Sequence, residues 1–186
     1  MNRSIKVIDD VVSDTYQHYI EQSVSGLPWE FKDGVSFSEY SHREYDNPIP
    51  DVDPNTGFAN VVYDALCEIR KPESDFLIPL LCEAIDKYDK GAKLKQIYRI
   101  KAGLFIKNQN KGDHLPHIDL DTEHYTMIYY VKDSDGPTRL YKDGMVFKEV
   151  HPKKGRALII PGDTLHSSSS PTETNSRLVL NYNFLI

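Results

Sequence analysis

The sequence predicts a mainly β fold with flanking helices, in which a barrel or jelly roll occupies the C-terminal half. Two observations predict it: two helical patterns come first, and eight short β-rich runs then follow, separated by Gly, Pro, Asp and Asn. The eight runs are 95–101, 103–107, 117–120, 124–131, 138–141, 145–150, 156–160 and 176–185.

The N-terminal half is predicted to support this β region. Residues 5–8 form a short strand, and Ser13 caps a helix that runs to about residue 25. Apolar residues recur at helical spacing over residues 74–90, with Ser74 as the predicted cap. Residues 29–60 are rich in Pro, Asp and Asn and are predicted to be irregular, as a surface loop or as a lid.

The length of 186 residues fits a single domain, 1–186, in which residues 1–94 form a support region and residues 95–186 form the β core. Only two cysteines occur, and both are predicted to be core thiols rather than a disulfide or metal site. The polar N-terminus and the lack of a long apolar run predict a cytoplasmic protein with no membrane segment. The oligomeric state stays open.

A formal net charge of -6 argues against a nucleic-acid substrate, because phosphate binding depends on clustered Lys and Arg. One basic strip is present, and its odd spacing places it on one face of a strand. We interpret it as a solvated sheet face, with a local nucleic-acid contact as the alternative. The strip consists of Lys93, Lys95, Arg99 and Lys101.

His117 and Asp119 stand two residues apart in a predicted strand that starts after Pro116. Residues at this spacing share a face, so both side chains point to one place. Alone, such a pair is more often two surface residues or a simple hydrogen bond than part of a metal site. Nearby Asp113, His114, Asp121 and His124 are rivals, but strand parity leaves Asp121 as the only local competitor and predicts that both rival histidines are loop or surface residues.

The segment 155–166 can deliver a third ligand. It consists of an apolar run, a Pro161-Gly162-Asp163 turn and His166. Two His and one carboxylate on one face of an octahedron leave three positions open, which is the arrangement of non-haem iron(II) oxygenases. His117, Asp119 and His166 are therefore the predicted metal ligands and catalytic residues.

The last predicted strand alternates between an apolar face and a face that begins with Arg177. An Arg inside a barrel requires an anionic partner, because an unpaired buried guanidinium is costly. Its planar pair of donors suits a ligand carboxylate. The alternative is a solvent-exposed Arg at the strand start.

Taken together, His117-Ile-Asp119, the 155–166 segment and Arg177 resemble the iron(II)- and 2-oxoglutarate-dependent oxygenases, most closely the prolyl 4-hydroxylase-like branch. The resemblance covers roughly residues 95–186 and implies a double-stranded β-helix, the jelly-roll fold also found in cupins. It implies that iron(II) is held by the three ligands and that Arg177 pairs with the far carboxylate of 2-oxoglutarate. Tyr130 resembles a residue that reaches the same carboxylate.

The same resemblance makes Tyr98 a residue lining the cosubstrate pocket, with Thr126 and Asn183 as weaker pocket candidates. It implies a hydroxylase that consumes O2 and 2-oxoglutarate and releases succinate and carbon dioxide, with ascorbate as a possible accessory. Retention of Asp119 favours hydroxylation over halogenation, because related halogenases have a small residue there.

Three substrate classes stay open, in descending order: a peptidyl residue such as proline, a free amino acid or other small molecule, and nucleic acid. The competing class is a noncatalytic jelly-roll binding module or a metal-dependent isomerase of cupin type, in which a metal or ligand is held without oxygen chemistry. The combination of Asp119 and Arg177 favours the oxygenase.

Overall fold

The computed structural model describes residues 3–33, 56–109 and 113–186. Within these ranges the chain is mainly β with two helices, which confirms the predicted fold class. The elements are β1 (Lys6–Ile8), α1 (Asp14–Ser25), β2 (Glu30–Asp33), β3 (Thr56–Asp64), β4 (Ile69–Arg70), α2 (Glu73–Tyr88), β5 (Gln96–Ile106), β6 (Tyr125–Tyr130), β7 (Thr138–Lys142), β8 (Met145–Val150), β9 (Ala157–Pro161), β10 (His166–Ser168) and β11 (Ser176–Leu185).

Antiparallel pairing arranges these strands into a large and a small sheet. The large sheet has the order β1-β9-β6-β11-β5-β3-β2, with β4 paired to β3, and the small sheet has the order β10-β7-β8. Strand β11 pairs with β5 on one edge and with β6 on the other. Its side chains are therefore fixed in register from both sides.

Strand β11 separates the two cores of the molecule, as its alternating sequence predicts. One face packs with both helices in the main core, and the other face points toward the small sheet. A second, smaller apolar cluster fills part of the space between the sheets and includes Phe105, Ile128, Leu140 and Val150. The helix-facing residues of β11 are Leu178, Leu180, Tyr182 and Phe184.

The two helices differ in how well their starts are predicted. Helix α1 begins as expected, because the Ser13 hydroxyl accepts a hydrogen bond from the Tyr16 amide at 3.4 Å. The prediction that Ser74 caps α2 is wrong. The helix starts one residue earlier, after Pro72, whose fixed φ and missing N–H suit a helix start. Ser74 is buried and donates to the Lys71 carbonyl at 2.7 Å.

Several strand boundaries also differ from the prediction. Residues 95–101 and 103–107 form one strand, β5, because Gly103 does not break it but lies against Val179 of β11. Strands β2 and β3 occupy both ends of the region predicted to be irregular, so that prediction is wrong there. The surface-loop or lid interpretation falls largely on residues 34–55, which lie outside the described residues.

Two further predictions are wrong. Cys67 and Cys82 are free thiols, but both are exposed rather than in the core. Arg99 and Lys101 of the basic strip do not lie on a solvated sheet face, because Arg99 contacts Asp119 and Lys101 lines an internal cavity. Neither helix of the described chain is long and apolar enough to cross a membrane.

Candidate metal centre

His117 and His166 are brought together by their own backbones. The two residues form an isolated antiparallel bridge in which each amide donates to the other's carbonyl, at 2.9 and 3.0 Å. Their rings lie 4.7 Å apart between centroids. Residues 117–120 do not form the predicted strand, but the extended bridge still directs His117 and Asp119 to one place.

Asp119 completes a compact cluster of three ligand atoms. Its Oδ1 lies 4.0 Å from His117 Nε2, and its Oδ2 lies 3.7 Å from His166 Nε2. One donor atom from each of the three residues lies within 4.8 Å of the other two, and no other such group occurs among the described residues. The chemistry of this set, two imidazoles and one carboxylate, fits an iron(II) ion with open coordination positions.

The hydrogen bonds of the two imidazoles leave the ligand nitrogens available. His117 Nδ1 lies 2.9 Å from the Leu115 carbonyl, and His166 Nδ1 lies 3.0 Å from the Thr164 carbonyl. A carbonyl only accepts, so each Nδ1 carries a hydrogen, and Nε2 is the nitrogen of each ring that faces the cluster. Burial, together with the neighbouring His166, lowers the pKa of His117 to about 4, which keeps this ligand neutral at physiological pH.

Asp119 is buried and its carboxylate accepts hydrogen bonds from four side chains. Arg99 donates to Oδ1 at 3.0 Å, and the donors to Oδ2 are Thr126 at 2.9 Å, Asn183 at 3.0 Å and Asn181 at 3.2 Å. Burial opposes ionisation, but neighbouring His166 and Arg99 hold the pKa of Asp119 well below its ordinary value. The carboxylate is therefore a preformed anion.

Arg177 lines a cavity that His117 and His166 also line, and its side chain is 1% exposed. Its Nη2 donates to Thr138 Oγ1 at 2.8 Å, while its Nε has no hydrogen-bond partner among the described residues. The guanidinium carbon lies 5.5 Å from the centre of the Phe105 ring and 5.8 Å from that of Tyr130. Burial lowers the pKa of Arg177, as expected for a cation with no anionic neighbour in the described part of the chain.

Tyr130 is also buried, and its hydroxyl donates to the same Thr138 oxygen at 2.8 Å. The donors of Arg177 and Tyr130 therefore converge on one point. Arg177 and the two histidines line one cavity, and Tyr130 and Thr138 do not belong to its lining. The described residues of this lining are Lys101, Gly103, Phe105, His117, Ile128, His166, Ser167, Ser168, Arg177, Val179 and Asn181.

The other site residues predicted from the sequence lie outside the cavity lining. Tyr98 lies in β5, is half-buried, and does not belong to this lining. Thr126 and Asn183 contact Asp119 rather than the cavity. Asp121 is exposed and outside the ligand group.

The two rival histidines lie in loops, as predicted, and both are buried rather than at the surface. His114 contacts the Ser168 and Ser170 hydroxyls at 2.7 and 3.2 Å and packs against Phe105, and burial lowers its pKa to about 3. His124 lies beneath Gly162, where a Cβ would overlap its ring. The turn before His166 therefore rests on a buried imidazole.

Sequence reasoning missed Arg99, Asn181 and Thr138 as site residues. Arg99 and Asn181 lie on the faces of β5 and β11 that point toward the cavity. The sequence does show that Arg99 shares a strand face with Lys101, and Asn181 with Arg177. Placing these two faces at one site required knowing that β5 pairs with β11.

No protein-family model and no curated protein matches the sequence, whereas many solved structures match the fold. An oxidoreductase of the 2OG-Fe(II) oxygenase family from Burkholderia pseudomallei gives a TM-score of 0.68 at 14% identity, covering 97% of this chain and 84% of its own. A prolyl hydroxylase from Trichoplax adhaerens, in complex with a peptide of the hypoxia-inducible factor oxygen degradation domain, gives a TM-score of 0.65 at 13% identity. That match covers 99% of this chain and 84% of the hydroxylase chain.

A viral collagen prolyl hydroxylase from Paramecium Bursaria Chlorella virus-1, solved as its 2OG complex, gives a TM-score of 0.58 at 13% identity, with coverages of 98% and 96%. The chain therefore has the double-stranded β-helix fold of the 2OG-Fe(II) oxygenases. That prediction is confirmed. At these identities the likeness establishes the fold, and function is argued from the residues of the site.

Proposed function

We propose that the protein is an iron(II)- and 2-oxoglutarate-dependent dioxygenase, with residues 1–186 as one oxygenase domain. One observation carries the proposal: a buried His-Asp-His group and a buried guanidinium without an anionic partner among the described residues line or border the same cavity. The first suits iron, and the second suits a carboxylate.

His117, Asp119 and His166 are the proposed iron ligands. Two neutral imidazoles and one carboxylate leave the bound metal with a net positive charge, which favours an anionic chelating ligand. The Nδ1–H contacts with backbone carbonyls hold both rings, so the ligand nitrogens need no reorientation when metal enters.

Arg177 is the proposed partner of the distal carboxylate of 2-oxoglutarate. Its unpaired Nε can donate to a carboxylate oxygen, and Tyr130 can add a second donor because its hydroxyl already reaches the same point. The same cavity is also lined by apolar Phe105, Ile128 and Val179, which exclude water from the reacting groups.

When bound, iron and 2-oxoglutarate supply oxidative decarboxylation, with succinate and carbon dioxide as coproducts and one oxygen atom transferred to the substrate. The protein contributes geometry: it holds the ligands, orients the cosubstrate between Arg177 and the metal, and keeps the cavity dry.

A peptidyl residue such as proline is the leading substrate, since two of the compared structures are prolyl hydroxylases and one of them binds a peptide. A free amino acid or another small molecule is the second candidate. It is favoured by Lys101 and Asn181, which line the metal side of the cavity with an ammonium and an amide.

The first experiment tests iron and cosubstrate binding together. Purified protein with iron(II) should develop a visible charge-transfer band when 2-oxoglutarate is added without air, and His166→Ala should lose it. No band in the wild type, or an undiminished band in His166→Ala, would refute the proposal in favour of a noncatalytic cupin-type module.

Turnover tests the reaction itself. Succinate formation is measured with ascorbate over a panel of proline-containing peptides and free amino acids, while mass spectrometry detects the gain of one oxygen. A peptide product supports the leading substrate, and a free amino-acid product supports the second. Succinate formation with no hydroxylated product from any peptide or amino acid of the panel would contradict both substrate assignments.

A further inference from the structure

Three polar side chains form a row beneath Asp119. Arg99 of β5 pairs with Asn183 of β11, and Asn183 pairs with Thr126 of β6, so the three residues lie side by side on neighbouring strands. All three point toward the metal centre, and each contacts Asp119. Neighbouring side chains from three strands of the large sheet therefore contact the same carboxylate.

The hydrogen bonds of this row have a single consistent direction. Arg99 Nε donates to Asn183 Oδ1 at 3.1 Å, which fixes the amide so that its Nδ2 is the donor. That Nδ2 donates to Thr126 Oγ1 at 3.1 Å and to Asp119 Oδ2 at 3.0 Å. Because the Thr126 hydroxyl accepts from Asn183, its own proton is free to go to Asp119, at 2.9 Å.

The chain of donors therefore begins at a permanent cation and ends on the predicted metal ligand. Thr126 and Asn183 are completely buried, so no solvent competes for these contacts. The second branch, from Arg99 Nη2 to Asp119 Oδ1, reaches the other carboxylate oxygen at 3.0 Å. Both oxygens are held, and the carboxylate plane cannot rotate without breaking bonds on both sides.

We infer that Arg99, Asn183 and Thr126 are positioning residues of the metal centre, which hold the Asp119 carboxylate in the orientation that binds the metal. The inference rests on the proposed function, since it concerns the same metal. The three residues act through Asp119. Partners of this kind around metal ligands typically change metal affinity by about 10- to 100-fold when they are replaced.

A purely structural role for the row predicts a different result from a positioning role. If Thr126 only fills space, Val, which has the same shape, would replace it and Ser would leave a small gap. If Thr126 positions Asp119, the hydroxyl is the essential group, so Ser would replace it and Val would not. A space-filling role therefore predicts that Thr126→Val is the milder substitution, and a positioning role predicts that Thr126→Ser is.

The experiment measures cobalt(II) affinity, by calorimetry and by the visible absorption of the bound ion, without cosubstrate or turnover. We expect Thr126→Val to weaken binding about 10-fold or more, and Thr126→Ser to stay within about twofold of the wild type. Equal affinities of wild type and Thr126→Val, or equal losses in Val and Ser, would overturn the inference.

A second variant keeps the test valid if Thr126→Val does not fold. Arg99→Lys retains the charge but loses the Nε donor to Asn183, and we expect it to weaken cobalt(II) binding about 10-fold. Arg70→Lys is the matched control, because Arg70 pairs with Asp75 at 2.6 Å on the surface. An Arg99→Lys affinity equal to that of Arg70→Lys would refute the positioning role.

The failure of the proposed function would look different. In that case the wild type itself would not bind cobalt(II), or His166→Ala would bind it equally well. The inference alone fails if the wild type binds the ion through His166 while the row variants keep its full affinity, or while Thr126→Val and Thr126→Ser lose affinity equally.

Discussion

Arg177 Nη2 lies 2.8 Å from Thr138 Oγ1, while the Nε of the same guanidinium has no hydrogen-bond partner among the described residues. A hydroxyl does not neutralise a cation, and a buried charge without a counter-charge is costly. The neighbouring faces of Phe105 and Tyr130 offset part of this cost through cation–π contacts. The arrangement is that of a site preformed for an anion.

Replacing Arg177 by Met should therefore weaken cosubstrate binding without lowering the stability of the fold. We expect 2-oxoglutarate affinity to fall by about 30-fold or more, equivalent to about 2 kcal/mol or more. The free energy of unfolding without cosubstrate should not fall, because an uncompensated buried charge has been removed. Anaerobic titration and urea denaturation measure the two effects. Arg139→Met, in a surface cluster with Glu149, is the control, and an unchanged 2-oxoglutarate affinity in Arg177→Met would remove Arg177 from the cosubstrate site.

Tyr130→Phe should weaken 2-oxoglutarate binding less than Arg177→Met, by about 10-fold, because it removes one hydrogen bond from a neutral donor to a carboxylate, about 1.5 kcal/mol. The matched variant is Tyr98→Phe, which should leave affinity unchanged because the Tyr98 hydroxyl, unlike that of Tyr130, does not share Thr138 Oγ1 with Arg177. The same titration measures both variants. A loss in Tyr98→Phe with none in Tyr130→Phe would reverse the two roles.

Metal binding should stabilise the fold measurably. A ligand present at 100 times its dissociation constant adds about 2.7 kcal/mol, which corresponds to a rise of about 5–10 °C in Tm for a chain of this size. Differential scanning calorimetry with cobalt(II) should show this rise in the wild type and not in His166→Ala. An equal rise in both would place the ion outside the His-Asp-His group.

The parts of the fold that follow from local pattern were predictable from the sequence. Strand β11 alternates so clearly that its two faces could be separated, and Arg177 stood out as a charge on the inner face. The three ligands followed from spacing, from the turn before His166 and from a family resemblance. Even there, the predicted strand at 117–120 is only a single bridge, so the shared direction of His117 and Asp119 was right while the element was wrong.

What could not be predicted depends on contacts between distant segments. Arg99 contacts Asp119 because β5, β11 and β6 lie side by side, and a single sequence does not state which strands pair. Thr138 reaches Arg177 across the gap between the two sheets. His114 is buried because Ser168, Ser170 and Phe105 surround it, and none of the three is adjacent to it in the sequence.

The buried His114 should make stability fall in mild acid. Burial, with Arg177 and His117 nearby, lowers its pKa to about 3, whereas an unfolded His titrates near 6.5. Between these values the unfolded state binds the additional proton, so the free energy of unfolding decreases as the pH falls. The His114 contribution to this decrease from pH 7.5 to 5 should be about 2 kcal/mol. Urea denaturation of His114→Gln at both pH values should show a correspondingly smaller decrease, and an unchanged pH dependence would contradict a neutral buried His114.

Asp135 should stabilise the turn that precedes β11 without contributing to the site. Its carboxylate accepts five hydrogen bonds, from the amides of Thr172, Glu173 and Thr174 and from both threonine hydroxyls, at 2.7–2.9 Å. Its burial opposes ionisation, but these bonds hold the pKa of Asp135 well below its ordinary value. The stabilisation is therefore complete above the unfolded value near pH 4 and is lost only as the pH falls further.

We expect Asp135→Ala to lower the free energy of unfolding by about 2–3 kcal/mol at pH 7, because the five donors lose a charged acceptor that water replaces in part. Asp133→Ala is the matched control, because Asp133 accepts a single hydrogen bond from the described residues, from the Lys154 amide at 2.8 Å. Its free energy of unfolding should fall by less than about 1 kcal/mol. Affinity for 2-oxoglutarate should stay within about threefold, because β5 and β6 hold β11 along both edges and keep Arg177 in place. A large loss of affinity in Asp135→Ala would instead show that the turn, and not the sheet, positions Arg177.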